Sequence, residues 1–470
     1  MPYPKTAPLL TCFIALSLLP QPQLMAQTRS ARAAKPQPAV TEPVRPTQSR
    51  CSEEDAGLSR SGRDASMVEG VSTDPRAALQ ELVDLAQQRS KGLGAVRLLT
   101  DAARFDLEET RAARLPTATL NITGNGVHNT INGREAGRGG QGTATLSASL
   151  SVFDFGRIAK LTAWRSELAD VALLGQRSAE EQLALSTVNL ALDRSRYQLQ
   201  AQVYGQYVRK MGCLVDALEF ITKADRGRLS ELVQAQKSLQ QAELSQEQTM
   251  SALRQTEVRL RRLVGDRLPP APGMAAPLSV LPSLEDMQAD ILLSPDLEQA
   301  QAQVRAQRNF TESVAAAQKP SVSLSSANTL LAGQTRAREF SAGVSISVPI
   351  LQPGADAQIS AAVKRYQATQ LQRDEALEAK RYRLLEMHEV AGSALDRARR
   401  ITDILRNSDR LRVSTLEQWQ QLGRRSLFDV MAAEGDYYAM RVAHVNAMFD
   451  AQQVIALIWS MGRGVATPLR

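Results

Sequence analysis

The sequence predicts a mixed α/β membrane protein in which short β-strands are continued by unusually long α-helices. Two tracts, residues 117–268 and 354–467, contain no proline. Proline inside a helix removes a hydrogen-bond donor and clashes with the preceding turn, so these Ala-, Leu-, Gln-, Glu- and Arg-rich tracts allow helices well beyond the usual ~11–12 residues. A helix over residues 156–225 would be roughly 105 Å long at 1.5 Å per residue.

Strict period-two alternation indicates the strands. Residues 143–152 place Ala, Leu and Val on one face and Ser or Thr on the other, and residues 340–348 repeat the pattern; residues 115–123 and 321–325 are weaker versions. This alternation is typical of a membrane barrel wall, but a half-buried soluble sheet shows it too. An export signal at the N-terminus favours the membrane. Four strands cannot close a barrel, because bacterial barrels begin at ~8 strands, so the chain must oligomerise if they lie in lipid.

The same order of elements occurs twice. A helical tract, residues 77–113 in the first half, leads to a proline, two alternating runs, a glycine joint and a long helical tract with a glycine midway. The joints Gly156 and Gly354 are 198 residues apart, and the midway glycines Gly227 and Gly423 are 196 apart. One internal duplication accounts for this order. We expect Gly227 and Gly423 to supply positive-φ turns that reverse the chain into antiparallel helical hairpins.

These features divide the chain into a signal peptide (residues 1–26), a disordered Pro- and Arg-rich linker (27–75), a first repeat (76–268), a Pro-rich connector (269–295), a second repeat (296–464) and a tail (465–470). The signal combines Lys5, an apolar run too short to span a bilayer, and Ala26 before the expected cut. Export would allow Cys51 and Cys213 to form a disulfide, and the alternative is that Cys213 packs as a small apolar residue.

The sequence contains little material for catalysis. Its three histidines are isolated, so we expect no metal site, no catalytic site and no cofactor. Residues 137–142 match the spacing G-x-G-x-x-G, but a strand follows them where a dinucleotide site needs a helix. We interpret them as an extracellular hairpin loop. The net charge of +7 lies partly in the linker, and no nucleic-acid partner is expected for an exported chain.

Several motifs resemble the TolC family of outer-membrane channel-tunnels over residues 74–464. They are Leu115-Pro116-Thr117, residues 149–156 (SLSVFDFG), residues 346–351 (ISVPIL) with Gly354, and residues 423–434 (GRRSLFDVMAAE). The resemblance implies a homotrimer in the outer membrane of a Gram-negative bacterium. Twelve strands, four per chain, would form a β-barrel continued by a long α-helical barrel through the periplasm.

The resemblance also implies the function. The chain would be a passive export duct, not an enzyme, working with a periplasmic adaptor and an inner-membrane transporter. Residues 225–235 resemble the branch that serves type I protein secretion, and small-molecule efflux is the alternative within the same fold. A periplasmic coiled-coil scaffold is the alternative from another class; it predicts sustained heptads and no barrel strands.

The resemblance places a gate at the periplasmic tips. The gate residues would be Asp429, Arg425, Arg228 and Glu231, with Asp429 forming a three-fold acidic ring or, alternatively, serving only as a solvated helix-start acid. We expect the arginines to form ion pairs across the tips with Glu231 or Asp429. The adaptor contacts would be Gly227, Leu229, Ser230, Gly423, Arg424 and Ser426. The strand–helix joints would be Gly156, Pro349 and Gly354. Where family members carry a second gate acid, this chain has Ala432.

Overall fold

The computed structural model describes residues 74–131, 134–269, 277–333, 336–422 and 425–469. The first half contains α1 (Pro75–Arg89), α2 (Lys91–Ala112), β1 (Thr117–Ile131), β2 (Arg134–Phe153), α3 (Arg157–Ala224) and α4 (Leu229–Val264). The second half contains α5 (Leu284–Ile291), α6 (Pro295–Ala316), β3 (Ser321–Gly333), β4 (Ala337–Ser347), α7 (Ala355–Leu422) and α8 (Leu427–Ser460). Short 3-10 turns lie at Arg226–Arg228 and Thr467–Leu469.

The long helices expected from the proline-free tracts are present. Helices α3 and α7 have 68 residues each, which corresponds to roughly 100 Å at 1.5 Å per residue. Each follows directly from a strand and returns through a shorter helix, α4 or α8, of 36 or 34 residues. The predicted combination of strands with very long helices is therefore confirmed.

The four strands form one antiparallel sheet in the order β1-β2-β3-β4. The central pair, β2 and β3, joins the two halves of the chain, so that Ser149 lies opposite Ser325 and Leu150 opposite Leu324. Strands β1 and β4 form the two edges.

The glycine-rich residues 137–142 differ from the expectation. They were predicted as a loop, but they extend β2 and pair with β1, with Gly142 opposite Gly124 and Gly140 opposite Gly126. The hairpin is as predicted, but the position of its loop is wrong. Ladder hydrogen bonds to β1 outweigh the low strand propensity of the glycines.

The helical tract predicted over residues 77–113 is interrupted at Ser90. The extended backbone of Ser90 (φ −65°, ψ 109°) ends α1, and its hydroxyl accepts the Leu93 N–H at 3.1 Å to cap α2. A serine cap offers the backbone an alternative to a continuous helix. The Pro-rich connector likewise contains a helix, α5, capped by Ser283.

The helices lie side by side in two successive sets. Nearest the sheet the packing order is α2–α3–α6–α7, and further from it α4–α3–α8–α7. A core where the two sets meet joins α1 to the long helices through Leu79, Leu82, Leu192, Leu260, Phe449 and Ile455. The C-terminal segment joins this core, because Val465 is buried and its N–H donates to the Glu181 carboxylate at 2.5 Å.

Some expectations fall outside the described residues. The signal peptide, most of the linker and Cys51 are among them. Cys213 is disulfide-bonded, and its pairing with Cys51 stays a prediction because Cys51 lies outside the described residues. Within the described ranges, no helix combines the length and apolar character that crossing a bilayer requires.

Candidate functional site: the strand wall, the joints and the hairpin tips

The sheet has two chemically different faces. Cross-strand neighbours on one face are Ser and Thr, with hydroxyl contacts of 2.9 Å between Thr117 and Ser149 and 2.8 Å between Thr119 and Ser147. The opposite face is aliphatic and exposed, with Ile122 74% and Val344 67% accessible. Its exposed large side chains are Leu120, Ile122, Leu146, Leu324, Leu330, Phe340, Val344 and Ile346. The strand register aligns the alternation seen in the sequence into one mainly apolar face, interrupted by Asn328 between Leu146 and Phe340, and one face rich in hydroxyl groups.

Gly156 lies between β2 and α3 in the left-handed region, at φ 82°, directly after Phe155 at φ 50°. Asp154 stabilises this turn, because its carboxylate accepts the N–H groups of Gly156 at 3.0 Å and Ile158 at 2.6 Å. Sequence reasoning missed Asp154, although an Asp just before a predicted helix start is a recognisable capping signal.

The second joint uses the same backbone conformation with different neighbours. Gly354 has φ 95° between β4 and α7, and the Ala355 N–H donates to the Gln352 carbonyl at 3.1 Å. Pro349 follows the end of β4, where a ladder donor is not needed. Both joints therefore turn a strand directly into a long helix.

The first hairpin tip is a 3-10 turn held by Asp225. The Asp225 carboxylate accepts the Gly227 N–H at 2.9 Å. The predicted positive φ at Gly227 is wrong, since Gly227 lies inside the right-handed 3-10 turn. Its small size matters instead, because a Cβ atom would lie 3.1 Å from the Asp225 Oδ1. Leu229, 58% accessible, and Ser230 begin α4 on the exposed side of this turn.

The second tip is closed by a reciprocal capping box. The Asp429 N–H donates to the Ser426 hydroxyl at 3.2 Å, and the Ser426 N–H donates to the Asp429 carboxylate at 3.2 Å. Asp429 is thus a helix-start acid with an exposed side chain, and a ring of three such acids stays a prediction. Gly423 and Arg424 lie outside the described residues.

The arginines at the tips do not bridge the two hairpins of the described chain as expected. Arg228 lies 3.8 Å from Asp225 and 4.0 Å from Glu231, both on its own tip. Arg425 donates to the Gln418 side chain at 3.2 Å. For Arg228 the turn brings carboxylates three residues away into range, so its ion pairs form within its own tip rather than across the tips.

An apolar cluster joins the two hairpins just above the tips. Its buried members come from three helices: Met211, Leu214, Val215 and Leu218 from α3, Ala235 from α4, and Leu427, Val430 and Met431 from α8. Leu416 and Trp419 of α7 pack against it. This cluster, rather than exposed ion pairs, supplies most of the cohesion between the tips, because surface pairs contribute only ~0–1 kcal/mol each.

A buried charge cluster lies one to two helical turns above the second tip. The Glu434 carboxylate on α8 is 0% exposed. It lies 3.6 Å from the Arg412 guanidinium on α7 and 3.8 Å from the Lys210 ammonium on α3. Arg412 also stacks 4.5 Å from the Tyr437 ring centre. Glu434 thus links both hairpins, and no local pattern in the sequence indicated that this carboxylate, on a helix with few charged residues, would be buried against cations of two other helices.

Burial raises the pKa of the Glu434 carboxyl above its usual range, and the positive charges of Arg412 and Lys210 only partly oppose this. Burial lowers the pKa of Arg412, but the charges of Glu434 and Asp409 outweigh it and the net shift is upward. Burial raises the pKa of the Tyr207 hydroxyl most, and the negative charges of Glu434 and Asp436 raise it further. At neutral pH the cost of burying the Glu434 charge is therefore offset mainly by its two cations.

The chain is similar in structure to several solved membrane proteins. One is a membrane protein from Pseudomonas aeruginosa (TM-score 0.75, 17% identity, covering 85% of this chain and 98% of that chain). Another is CusC, described in terms of transmembrane channel formation (TM-score 0.74, 19% identity, 82% and 92%). A third is the outer membrane protein VceC from Vibrio cholerae (TM-score 0.72, 19% identity, 83% and 97%).

No protein-family profile and no curated protein sequence matches the chain. At 17–19% identity the structural likeness establishes the fold. The chain has the fold of the outer-membrane channel-tunnels that its motifs resemble, and that prediction is confirmed.

Replacing Gly354 by Ala should destabilise the protein by about 1–2 kcal/mol, because a side chain strains the left-handed backbone. No neighbouring atom lies within 4 Å of the added Cβ atom, so the strain is the whole effect. Gly343→Ala is the matched control, since it has the same open surroundings without a positive φ. The measurement is denaturant unfolding in detergent, and equal midpoints for the two variants would contradict the strain argument.

Replacing Arg412 by Ala should destabilise the protein by about 3–5 kcal/mol at neutral pH, because Glu434 keeps only one cation. The folded-state pKa of Glu434 is raised, so protonation favours the folded state and the penalty is relieved as pH falls. We therefore expect Arg412→Ala to lose less stability at about pH 5 than at about pH 7.5. The measurement is thermal unfolding in detergent at both pH values.

The control for this variant is Arg399→Ala, whose ion pair with Asp396 is exposed (79% and 66%). It should change stability little at either pH. A loss for Arg412→Ala that is independent of pH would show that Glu434 is not the group responsible.

Proposed function

We propose that this protein is an outer-membrane channel-tunnel that passively conducts exported substrate from a transporter in the inner membrane to the exterior. The single observation that carries the proposal is the four-stranded sheet with one exposed aliphatic face and two open edges, continued by helices of 68 residues. An aliphatic face suits lipid, and the hydroxyl face suits a water-filled interior.

The open edges favour a closed ring of identical chains. An unpaired sheet edge is not tolerated in hydrocarbon, so β1 must pair with β4 of another copy. This contact is head-to-tail, and head-to-tail contacts generate closed rings when the rotation closes. Three copies would supply twelve strands; the number three rests on the resemblance to the channel-tunnels.

The exposed apolar side chains of the outer helices are consistent with such a ring. Exposed large side chains continue along the outer flanks, on α2 (Leu98, Leu99 and Phe105), on α4 (Leu229, Val233, Leu244 and Val258) and on α7 (Leu371, Tyr382, Ile404 and Leu411). In the ring, α7 of one copy would face α2 and α4 of the next, and a tunnel would continue below the barrel. A periplasmic coiled-coil scaffold would leave the aliphatic sheet face without a partner.

The tips are the proposed gate and adaptor contact. The periplasmic adaptor would grip the exposed turns around Gly227, Leu229, Ser230, Ser426 and the residues between the helices of the second hairpin. The solved OprN and the MtrE of Neisseria gonorrhoeae, which share the fold, are described as outer-membrane channels, the latter in an open state. A gate in this chain would open by separating the two hairpins.

The cargo is the finer part of the proposal. The first tip, residues 225–235, favours type I protein secretion, and small-molecule efflux is the second candidate because the same tunnel suits both. Deleting the gene in its native host separates them. Loss of a secreted protein from the medium supports secretion, and increased susceptibility to toxic small molecules with normal secretion supports efflux.

The channel itself is tested by purifying the full chain in mild detergent. We expect a trimer whose gel migration changes on heating, and stepwise conductance in planar bilayers. A monomer without pore activity would overturn the proposal.

Asp429→Asn should weaken the preference of the open channel for cations and its block by divalent ions, because three carboxylates are removed from the narrow end. Asn retains a side-chain oxygen for the helix cap, so the fold should survive. Asp356→Asn, in the exposed first turn of α7 at the other end of the helix, is the matched control. Unchanged ion selectivity for Asp429→Asn would remove this residue from the gate.

A further inference from the structure

We propose that α4 of one copy packs antiparallel along α7 of the next copy, and that two bands of opposite charge set the register of this seam. The inference rests on the proposed ring. It goes further by naming the side chains that meet where two copies join.

Helix α7 carries an exposed stripe on the side away from its own hairpin partner. In the middle part of α7, Leu384 and Ala391 belong to the protomer core, and the buried Ala394 lies on the same side of the helix. On the opposite side, residues recur every three or four positions and all are exposed: Glu386, Val390, Ser393, Arg397, Arg400, Ile404, Asn407 and Leu411. Val390 and Ile404 are 41% and 49% accessible. A regular stripe with apolar members is typical of a helix–helix contact.

Helix α4 carries the matching stripe. Four of its six buried residues, Ala235, Ala242, Thr249 and Thr256, recur every seven positions and face the protomer. On the opposite side Val233, Lys237, Gln240, Leu244, Glu247, Val258 and Arg262 are exposed. Leu244 and Val258 are 56% and 63% accessible. Within the described chain, α4 and α7 are the outer members of the helix order, so these two stripes face away from each other.

The heights of the two stripes can be compared through α3. The Arg194–Glu257 ion pair, at 3.3 Å, places Glu257 of α4 beside Arg194 of α3. Helices α3 and α7 are equally long and start at equivalent joints, so Gly392 is the counterpart of Arg194. Rotation about the axis of a ring keeps heights unchanged. Glu257 of one copy therefore lies level with Gly392 of the next.

Because the two helices would be antiparallel, residue numbers decrease towards the tips on α4 and increase towards the tips on α7. Counted from this level, apolar residues of α4 fall beside apolar residues of α7. Val258 falls beside Val390, and Leu244 beside Ile404, each within about two residues, or ~3 Å at 1.5 Å per residue. The apolar members of the two stripes therefore coincide in height.

The charges coincide with opposite sign. Arg259 and Arg262 on α4 fall level with Glu386 and Glu389 on α7. Closer to the tips, Glu243 of α4 falls level with Arg406 of α7 and Glu247 with Arg400, each within about two residues, or ~3 Å. Asp403 lies between these two arginines and pairs with Arg406 at 2.9 Å, which leaves Arg400 as the basic residue most available to α4. A shift of α7 along α4 that brought Arg259 and Arg262 level with the arginines of α7 would place like charges together. The charge pattern therefore disfavours such a register and favours the proposed one.

Cross-linking tests the seam directly. Packed helices lie about 8–10 Å apart, so a bismaleimide of similar span should join Val258→Cys to Val390→Cys between copies. We expect covalent dimers and trimers on denaturing gels. The control pair is Val258→Cys with Leu411→Cys, which is equally exposed but ~32 Å further along α7 at 1.5 Å per residue. The two single-cysteine variants show the background from native cysteines.

The outcomes distinguish this inference from the proposed function. A protein that is trimeric in detergent but gives equal cross-linking for the matched and control pairs overturns the seam and leaves the channel standing. A monomeric protein overturns the channel itself.

Charge reversal tests the bands. Arg262→Glu and Glu386→Arg should each lower the temperature at which the trimer dissociates on gels, and the double variant should recover most of the loss. Combining Arg262→Glu with Arg400→Glu is the control and should recover nothing. A double variant no better than its singles would contradict the proposed pairing.

Discussion

The outer edges of β1 and β4 carry backbone N–H and C=O groups without strand partners in the described part of the chain. In water such an edge is tolerable, but in hydrocarbon each unpaired group costs several kcal/mol. The exposed aliphatic face of the same sheet is unfavourable in water. In the proposed ring both conditions are satisfied together, because copies of the chain close the sheet into a lipid-facing barrel. The joints and the helices are arranged in a way that fits this closure.

The two strand–helix joints keep each long helix close to the strand that precedes it. At Gly156 and Gly354 a left-handed residue lets each long helix start within a few residues of its strand. The helices therefore lie side by side in the same order as the strands they adjoin. Just as the sheet has unpaired edges, the helices at the flanks, α2, α4 and α7, expose large apolar side chains. A tunnel below the barrel follows from the same ring.

The tips combine weak and strong interactions in different places. The turns themselves are held by local caps from Asp225 and Ser426 and by exposed ion pairs that contribute little. Above them the apolar cluster and buried Glu434 hold the two hairpins together. Separating the two hairpins would expose both the cluster and the buried carboxylate. In the proposed gate, the resistance to opening therefore lies above the turns, which leaves the turns available to the proposed adaptor.

The sequence by itself determined the features that depend on local chemistry. Missing proline predicted the lengths of α3 and α7, alternation predicted the strands, and the glycines Gly156 and Gly354 predicted the joints. Tertiary structure decided what depends on distant neighbours. Pairing of β2 with β3 joined the two halves of the chain in one sheet, and packing of three helices buried Glu434. Local patterns report backbone preferences, whereas burial and pairing are set by residues up to hundreds of positions away in the chain, which no local pattern contains.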